Sequence, residues 1–435
     1  MKSGAGPIAW GLLLLLLGSA AADPFLPGPW RQWVLPAGAA AAITAGIWRG
    51  IIPGRIWVAG GAILGLLVLY AWNPTHQWMP DTGLRAVDHF RNMPGSASSG
   101  DTKETLGLAM AMFTAFALAF QLSLREVRRL AIVVCGGAVV MALAVWFQRT
   151  GPRSFPVYEY TGIFVNENHY GTFSNMVFPV VLALAARARF RAVQTGQPSS
   201  PAGLVLLGAA IMAVAVLMCH SRAALAVMTL LVLLQLILGQ RLLRQHPFME
   251  TSPAPGARII GWGIAFGLAA CAVSALVRGW SQTGGFLREW HFRGGILLDA
   301  LKAWRDSWVW GTGPGTFATI YPYYQAAAYE GRTILHVHCE PVQFLVEFGV
   351  LGGLWVILAT GLALTARGRG RAHAGEIPAF VELERRAFGF GLAACGLQSL
   401  VDFPLRIPLI AVLAATWAGI WAGTRPGLAQ MKGET

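Results

Sequence analysis

The segment HVHCEPVQFLVEFGVLGG, residues 336–353, runs directly into LWVILATGLALT, residues 354–365. Its first five residues include two histidines and a glutamate, whereas the rest is almost entirely apolar and is long enough to cross a bilayer, which takes about 20 residues. Ionisable groups at the boundary of such a span are costly unless they serve a function. The stretch therefore predicts a membrane helix whose beginning carries chemistry at the membrane surface.

Apolar runs of similar length recur along the chain of 435 residues, of which 55% are hydrophobic and 12% are charged. Soluble domains contain about 25% charged residues. The pattern predicts an all-α polytopic membrane protein with about twelve transmembrane helices, near residues 8–22, 34–48, 56–72, 105–124, 130–147, 171–186, 203–219, 223–239, 259–277, 342–365, 387–401 and 405–422.

The first of these spans has two interpretations. Lys2, the leucines at 12–17 and the alanines at 20–22 are also typical of a cleavable signal peptide. A retained transmembrane helix is the preferred interpretation, and a removed leader is the alternative.

The basic residues orient the predicted spans. If the N-terminus lies in the cytoplasm, 19 of the 33 lysines and arginines fall on the inner side, as the positive-inside rule requires once the long outer loop is set aside. The net charge of +13 then reflects membrane topology, and we expect no nucleic-acid partner.

The spans divide the chain into four parts. These are N-terminal transmembrane helices (1–150), central transmembrane helices (151–277), a large outer loop (278–341) and C-terminal transmembrane helices (342–435). In the loop, Gly295–Trp310 has the periodicity of an amphipathic helix. Arg288 and Arg293 precede it and would suit an anionic lipid headgroup.

His336 and His338 would share one face of an extended chain. Histidine is the commonest general base, because it titrates near neutrality. Two other interpretations of the pair remain, because this spacing is unspecific. The histidines could bind a metal together with His220 or Glu340, or they could have a purely structural role.

Three further segments place polar groups at the outer face. Arg222, between two apolar spans, is either an interfacial anchor or a clamp for diphosphate oxygens. Asn166 and Asn168 would cap a helix or bind sugar hydroxyls. Asp402 and Arg406 share a tight turn and are predicted to pair with each other.

Together these pieces resemble the O-antigen ligase and polymerase superfamily of bacterial inner-membrane glycosyltransferases. The motifs occur in the order of that family: TGIFVNENHYGTF (161–173), SRAAL (221–225), DSWVWGTGPGTF (306–317), HVHCEPVQFLVEFGVLGG (336–353) and SLVDFPLRIP (399–408). The resemblance implies transfer of a glycan from undecaprenyl diphosphate to a hydroxyl of a lipid A core sugar or similar acceptor, without a metal or other cofactor. It also implies contact with membrane lipids and a periplasmic site under a loop that forms a lid.

The family's ligase pattern, a histidine, a polar residue, nine others and then Gly-x-x-Gly, maps onto His338, Cys339, Gly349 and Gly352. It implies that His338 is the essential histidine. Cys339 stands where the family usually has Asn, Ser or Gln, and a thiol is a poorer hydrogen-bond partner than an amide.

The resulting hypothesis assigns His338 as the base and places the donor diphosphate against Arg222 and Arg293. His336 or Glu340 would orient His338. The predicted substrate-binding residues are His336, Glu340, Arg288, Asn166, Asn168 and Asp402. A polymerase that joins repeat units is the alternative function, and a small-anion transporter of the bicarbonate type is a more distant one.

Overall fold

The computed structural model describes residues 5–22, 38, 53–79, 81, 83–151, 161–196, 201–219, 221–244, 283–326, 333–366 and 378–424. Within these ranges the chain is mainly helical, as predicted. The helices are α1 (Ala5–Ala22), α2 (Gly54–Trp72), α3 (Ser99–Phe120), α4 (Leu124–Thr150), α5 (Glu167–Gln194), α6 (Ala202–Met218), α7 (Arg222–Arg244), α8 (Thr283–Asp306), α9 (Phe317–Ile320), α10 (Glu340–Leu364), α11 (Pro378–Ser399) and α12 (Pro408–Gly423). A short antiparallel hairpin joins β1 (His76–Met79) to β2 (Gly83–Ala86).

Among the described residues, five helices are long and apolar enough to cross a membrane: Gly54–Trp72, Ser99–Phe120, Leu124–Thr150, Glu167–Ala192 and Glu340–Leu364. Shorter apolar helices cover Ala9–Ala22, Ala202–Met218, Arg222–Gln235 and Pro408–Gly423. The predicted spans at 34–48, apart from residue 38, and at 259–277 lie outside the described residues. The count of twelve therefore stays a prediction.

Local sequence signals fix where two of the long helices begin. Ser98 precedes α3, and its hydroxyl accepts a hydrogen bond from the backbone N–H of Asp101. Ser123 and Glu126 form a reciprocal capping box at the start of α4, which satisfies two backbone donors that would otherwise lack partners.

Small residues let the helices of the bundle approach closely. Gly419 and Gly423 of α12 lie against the backbone of α3, where an added Cβ would come within 2.4 Å of the carbonyl oxygen of Phe116 and 2.5 Å of that of Phe120. This spacing of four residues is the small-xxx-small arrangement by which membrane helices pack. Helix α1 also packs on α3 and α12, and its Leu13 is fully buried.

Helix α8 covers the start of α10 and differs from its prediction at both ends. It begins at Thr283 and ends at Asp306, so the prediction that Arg288 and Arg293 precede the helix was wrong, because both lie within it. Its buried residues Ile296 and Ala300 belong to a small apolar cluster that also contains Phe317, Val337 and Val346.

Candidate active site

Helix α10 is broken at Gly349, where φ is 62° and ψ is −171°. The segment that follows α8 enters this break and restores the backbone hydrogen bonds on its far side. The N–H of Val350 donates to the carbonyl of Trp308 at 2.8 Å, and the N–H of Leu351 donates to that of Val309 at 3.0 Å. A break inside an apolar helix is tolerated where protein groups satisfy the freed backbone in this way.

The same segment satisfies the near side of the break. Thr312 and Gly313 donate their N–H groups to the carbonyls of Val346 and Glu347, both at 2.9 Å. At Gly311, where φ is 73°, an added Cβ would lie 2.4 Å from the backbone of Glu347. Only glycine fits this crossing, which explains Gly311 in GTGPGTF and Gly349 in FGVLGG.

A buried ion pair lies beside the break. The carboxylate of Glu347 is inaccessible to solvent and accepts a hydrogen bond from Arg406 at 2.7 Å. It also accepts the N–H of Gly315 at 2.8 Å and the side-chain amide of Gln343 at 2.9 Å. One carboxylate therefore joins α10, the glycine-rich turn and the turn before α12. The predicted pairing of Asp402 with Arg406 was wrong, since Arg406 pairs with Glu347.

Gln343 determines the tautomer of His336. Its Oε1 accepts the N–H of Val337 at 3.1 Å, and its Nε2 donates to Glu347, so the orientation of the amide is fixed. Nε2 also faces Nδ1 of His336 at 3.3 Å, which must then be the acceptor nitrogen. Burial first, and then Arg406 and the neighbouring histidines, lower the pKa of His336 to about 3. His336 is therefore a neutral hydrogen-bond donor through Nε2.

Three histidines surround the ring of Phe403. His336 stacks on it with ring centroids 3.9 Å apart, while His338 and His169 contact it edge to face at 5.1 and 4.9 Å. His169 comes from the first turn of α5, and the other two precede α10. The turn between α11 and α12 thus gathers imidazoles from two distant parts of the chain.

Asp402 lies between two of these imidazoles. Its Oδ1 is 3.4 Å from Nδ1 of His338, and its Oδ2 is 3.8 Å from Nε2 of His169. The side chain is 2% exposed, so burial alone would raise its pKa, but the approach of His338 and the charges of both histidines outweigh this and hold the pKa of Asp402 below its ordinary value. Asp402 is thus a carboxylate held against His338.

The backbone at His338 is strained. Within the described residues it is the one non-glycine residue with positive φ, at 58°. Such a conformation costs about 1–3 kcal/mol and persists where the surroundings enforce it, often at functional sites. Cys339 follows as the N-cap of α10, and its side chain makes no capping hydrogen bond.

The two predicted diphosphate arginines are tied to this cluster through neighbouring residues. Arg293 donates from NH1 to the carbonyl of Val401 at 3.0 Å, next to Asp402. Arg222 begins α7, directly after Ser221, whose hydroxyl donates to Oδ1 of Asn168 at 2.6 Å, next to His169. The hydroxyl also accepts the N–H of Ala224 at 3.2 Å, which makes Ser221 the cap of α7.

The remaining predicted site residues take supporting positions. Glu340 accepts hydrogen bonds from the N–H of Leu405 at 2.7 Å and from the hydroxyl of Ser399 at 3.2 Å. It therefore braces the turn that carries Asp402. His336 or Glu340 was predicted to orient His338, and the carboxylate that faces Nδ1 of His338 is that of Asp402. The side chain of Asn166 accepts the N–H of Asn168 at 2.8 Å, as a helix cap does. Arg288 lies in α8.

Sequence reasoning missed most of the supporting cluster. Glu347 and His169 were visible as ionisable groups in apolar segments, which is a signal of function. Phe403 and Gln343 carry no such signal, because an aromatic ring or a lone amide near a membrane surface is ordinary.

A family model described as O-antigen ligase matches residues 207–357. The matched segment runs from α6 into α10 and includes Arg222, Arg293 and His338. No curated protein matches the chain. With the apolar helices, the match indicates an integral membrane protein. Over residues 207–357, the match confirms the resemblance to the O-antigen ligase and polymerase superfamily that the motifs predict.

Proposed function

We propose that this protein is a metal-independent glycosyltransferase of O-antigen ligase type. It transfers a glycan from undecaprenyl diphosphate to an acceptor hydroxyl, such as one on a lipid A core sugar. It lies in the bacterial inner membrane as about twelve transmembrane helices, with residues 278–341 forming a periplasmic loop over the site. The positive-inside distribution of the basic residues supports this orientation.

The contact between Asp402 and His338 is the observation that carries the proposal. A carboxylate at Nδ1 favours the tautomer that has its proton on that nitrogen, so Nε2 keeps a lone pair that accepts a proton. The distance of 3.4 Å is longer than a hydrogen bond, but such contacts tighten when substrate binds. His338 is thus arranged as a general base.

Arg222 and Arg293 supply the positive charge that the donor needs. The donor leaves as undecaprenyl diphosphate, and negative charge grows on its oxygens as the bond to the anomeric carbon breaks. Guanidinium groups pair with phosphate oxygens in a fixed planar geometry, and pre-placed charges of this kind lower the barrier. Because diphosphate is already a good leaving group, no metal is required.

The reaction is a single displacement. The acceptor oxygen attacks the anomeric carbon from the face opposite the diphosphate, and the new carbon–oxygen bond forms as the old one breaks. The electron pair of the broken bond leaves with the diphosphate, and the proton of the hydroxyl passes to Nε2 of His338. His336, as a neutral donor, contacts the acceptor or donor sugar.

The family description and the spacing of His338, Gly349 and Gly352 favour a ligase over a polymerase. The two are separated by their products, since a ligase adds one finished chain to an acceptor and a polymerase builds a ladder of repeat units. The identity of the acceptor therefore decides between them.

The test is glycan transfer by purified protein in lipid vesicles that contain undecaprenyl diphosphate oligosaccharide and an added acceptor. His338→Ala should abolish transfer. His89→Ala is a control, because His89 is exposed beside the hairpin and its ring bonds the nearby carbonyl of Val87. Arg293→Ala should weaken donor use for every acceptor, and Arg305→Ala is its matched control, since Arg305 is 79% exposed on the same helix.

Full transfer by His338→Ala in the presence of a chelator would reject His338 as the base. If the wild type consumes no lipid-linked donor, the glycosyltransferase proposal itself is wrong and small-anion transport becomes the function to test.

A further inference from the structure

Asp402 contacts two imidazoles, and the proposed reaction uses only that of His338. The second belongs to His169, whose ring nitrogen Nε2 faces Oδ2 of Asp402 at 3.8 Å. His169 is 5% exposed and Asp402 is 1% exposed. Neither Nε2 nor Oδ2 makes a hydrogen bond within the described part of the chain, so each is a buried polar atom that faces the other.

We propose that His169 is a positioning residue, which donates its Nε2–H to Asp402 and thereby fixes the carboxylate against His338. This inference rests on the proposed function for its catalytic consequence. A buried carboxylate is costly unless its oxygens are hydrogen-bonded. Each oxygen of Asp402 faces one imidazole. His169 therefore fixes the position of the carboxylate, and the carboxylate in turn fixes the position of His338.

The surroundings of His169 are rigid enough for this task. Its ring packs edge to face on Phe403, which also contacts His338. Its neighbour Asn168 is fixed on both sides, because its side-chain oxygen accepts the hydroxyl of Ser221 and its carbonyl accepts the side-chain amide of Gln398 at 3.2 Å. Asp402 thus faces His338 at 3.4 Å through Oδ1 and His169 at 3.8 Å through Oδ2.

The other ionisable groups near His169 have partners of their own. His336 lies across Phe403 and bonds Gln343. Arg406 pairs with Glu347, and Glu340 bonds Ser399 and Leu405.

At the mouth of α5, Glu167 pairs with Arg149. Within the described residues, the ion-pair contacts of Asp402 are those with His169 and His338.

Removing the donor from His169 has a predictable effect on pH dependence. The anion of Asp402 loses a stabilising partner, so it is protonated at higher pH and also holds a proton on His338 more tightly. Both effects move the acidic limb of the pH–rate profile towards higher pH. A group that only filled space would change the rate without moving this limb.

Two substitutions of His169 distinguish a hydrogen-bond donor from a side chain that only fills space. In His169→Gln the side-chain Nε2 keeps an N–H donor at a similar reach, whereas His169→Met keeps the length and loses the donor. We expect His169→Met to lower kcat roughly tenfold with little change in KM for the donor, and to move the acidic limb upward by about one pH unit. His169→Gln should keep both values near those of the wild type.

Wild-type behaviour of His169→Met would overturn the inference. Equal losses in His169→Gln and His169→Met would overturn it too, because they would assign His169 a structural role only.

A second readout does not depend on glycan transfer. Diethyl pyrocarbonate modifies unprotonated imidazoles, and mass spectrometry of the purified protein reports each histidine separately. In His169→Met, the pH at which His338 becomes reactive should rise, while His169→Gln and the exposed His89 should behave as in the wild type.

If the wild type transfers no glycan but His338 responds in this way, the proposed function fails and the positioning role stands. If the wild type transfers glycan and neither readout responds to His169→Met, only this inference fails.

Discussion

The buried pair of Glu347 and Arg406 makes the substitution Glu347→Gln a severe one. The carboxylate is inaccessible to solvent and accepts three hydrogen bonds, from Arg406, Gln343 and the backbone of Gly315. Glutamine keeps the shape but leaves the guanidinium uncompensated, and its NH2 group must face one of three donors. Removing one partner of a buried pair costs about 3–5 kcal/mol, which is a large fraction of the stability of a domain.

Thermal unfolding in detergent measures this effect. We expect Glu347→Gln to lower the midpoint by roughly 5 °C or more and to reduce glycan transfer, because the same carboxylate positions Gln343 beside His336. Glu382→Gln is the matched control, since this carboxylate is partly exposed and pairs with Arg385 and Arg386 at 2.7 and 2.8 Å. Such a surface pair contributes about 1 kcal/mol or less.

A double-mutant cycle tests the assignment further. Arg406→Met should cost less stability in the Glu347→Gln background than in the wild type, because the pair has already been broken. A wild-type unfolding midpoint and wild-type transfer for Glu347→Gln would refute the reasoning that this pair holds the site together.

Three further predictions concern α10 and the residues before it. Gly349→Ala should destabilise the fold, because φ is 62° and the new Cβ would lie 2.5 Å from the backbone of Gly311. Gly361→Ala on the same helix is the control, since its Cβ meets open space, and equal unfolding midpoints for the two variants would contradict the account of the break. Cys339→Asn should stabilise the protein by about 1 kcal/mol, since it adds the capping hydrogen bond that the thiol does not make, and an unchanged midpoint would count against this explanation. The pKa of His336 is lowered from 6.5 to about 3 in the folded protein. Between these pH values the unfolded chain binds a proton at His336 that the folded protein does not, so the free energy of unfolding falls as the pH drops from about 6.5 towards 3. His336→Gln should lose less stability over that range, and a decline identical to that of the wild type would show that His336 does not contribute to it.

The helical segments could be predicted from the sequence because apolar length determines what a bilayer accepts. The segment 342–365 is an example, since the structure places the helix at Glu340–Leu364. Its break at Gly349 could not be predicted, because a glycine within an apolar helix gives no sign of its φ angle. The break depends on backbone groups of residues 308–313, which another part of the chain supplies.

The sequence indicated candidate site residues but not the partners of each. The outer-face motifs indicated His338, Asp402 and Arg222, since ionisable groups beside apolar spans are conspicuous. Spacing suggested that Asp402 pairs with Arg406, four residues later. The structure pairs Arg406 with Glu347 instead, while the equally buried Asp402 faces His338 and His169. Which of these groups the fold brings together is not visible in the sequence.

The most direct test of the central claim compares glycan transfer by His338→Ala, by Asp402→Asn and by the double variant in the same vesicles. If Asp402 acts through His338 as the proton-accepting pair, each single substitution lowers kcat strongly and the double variant is no slower than His338→Ala alone. Losses that multiply in the double variant, or full transfer by either single variant, would contradict the account.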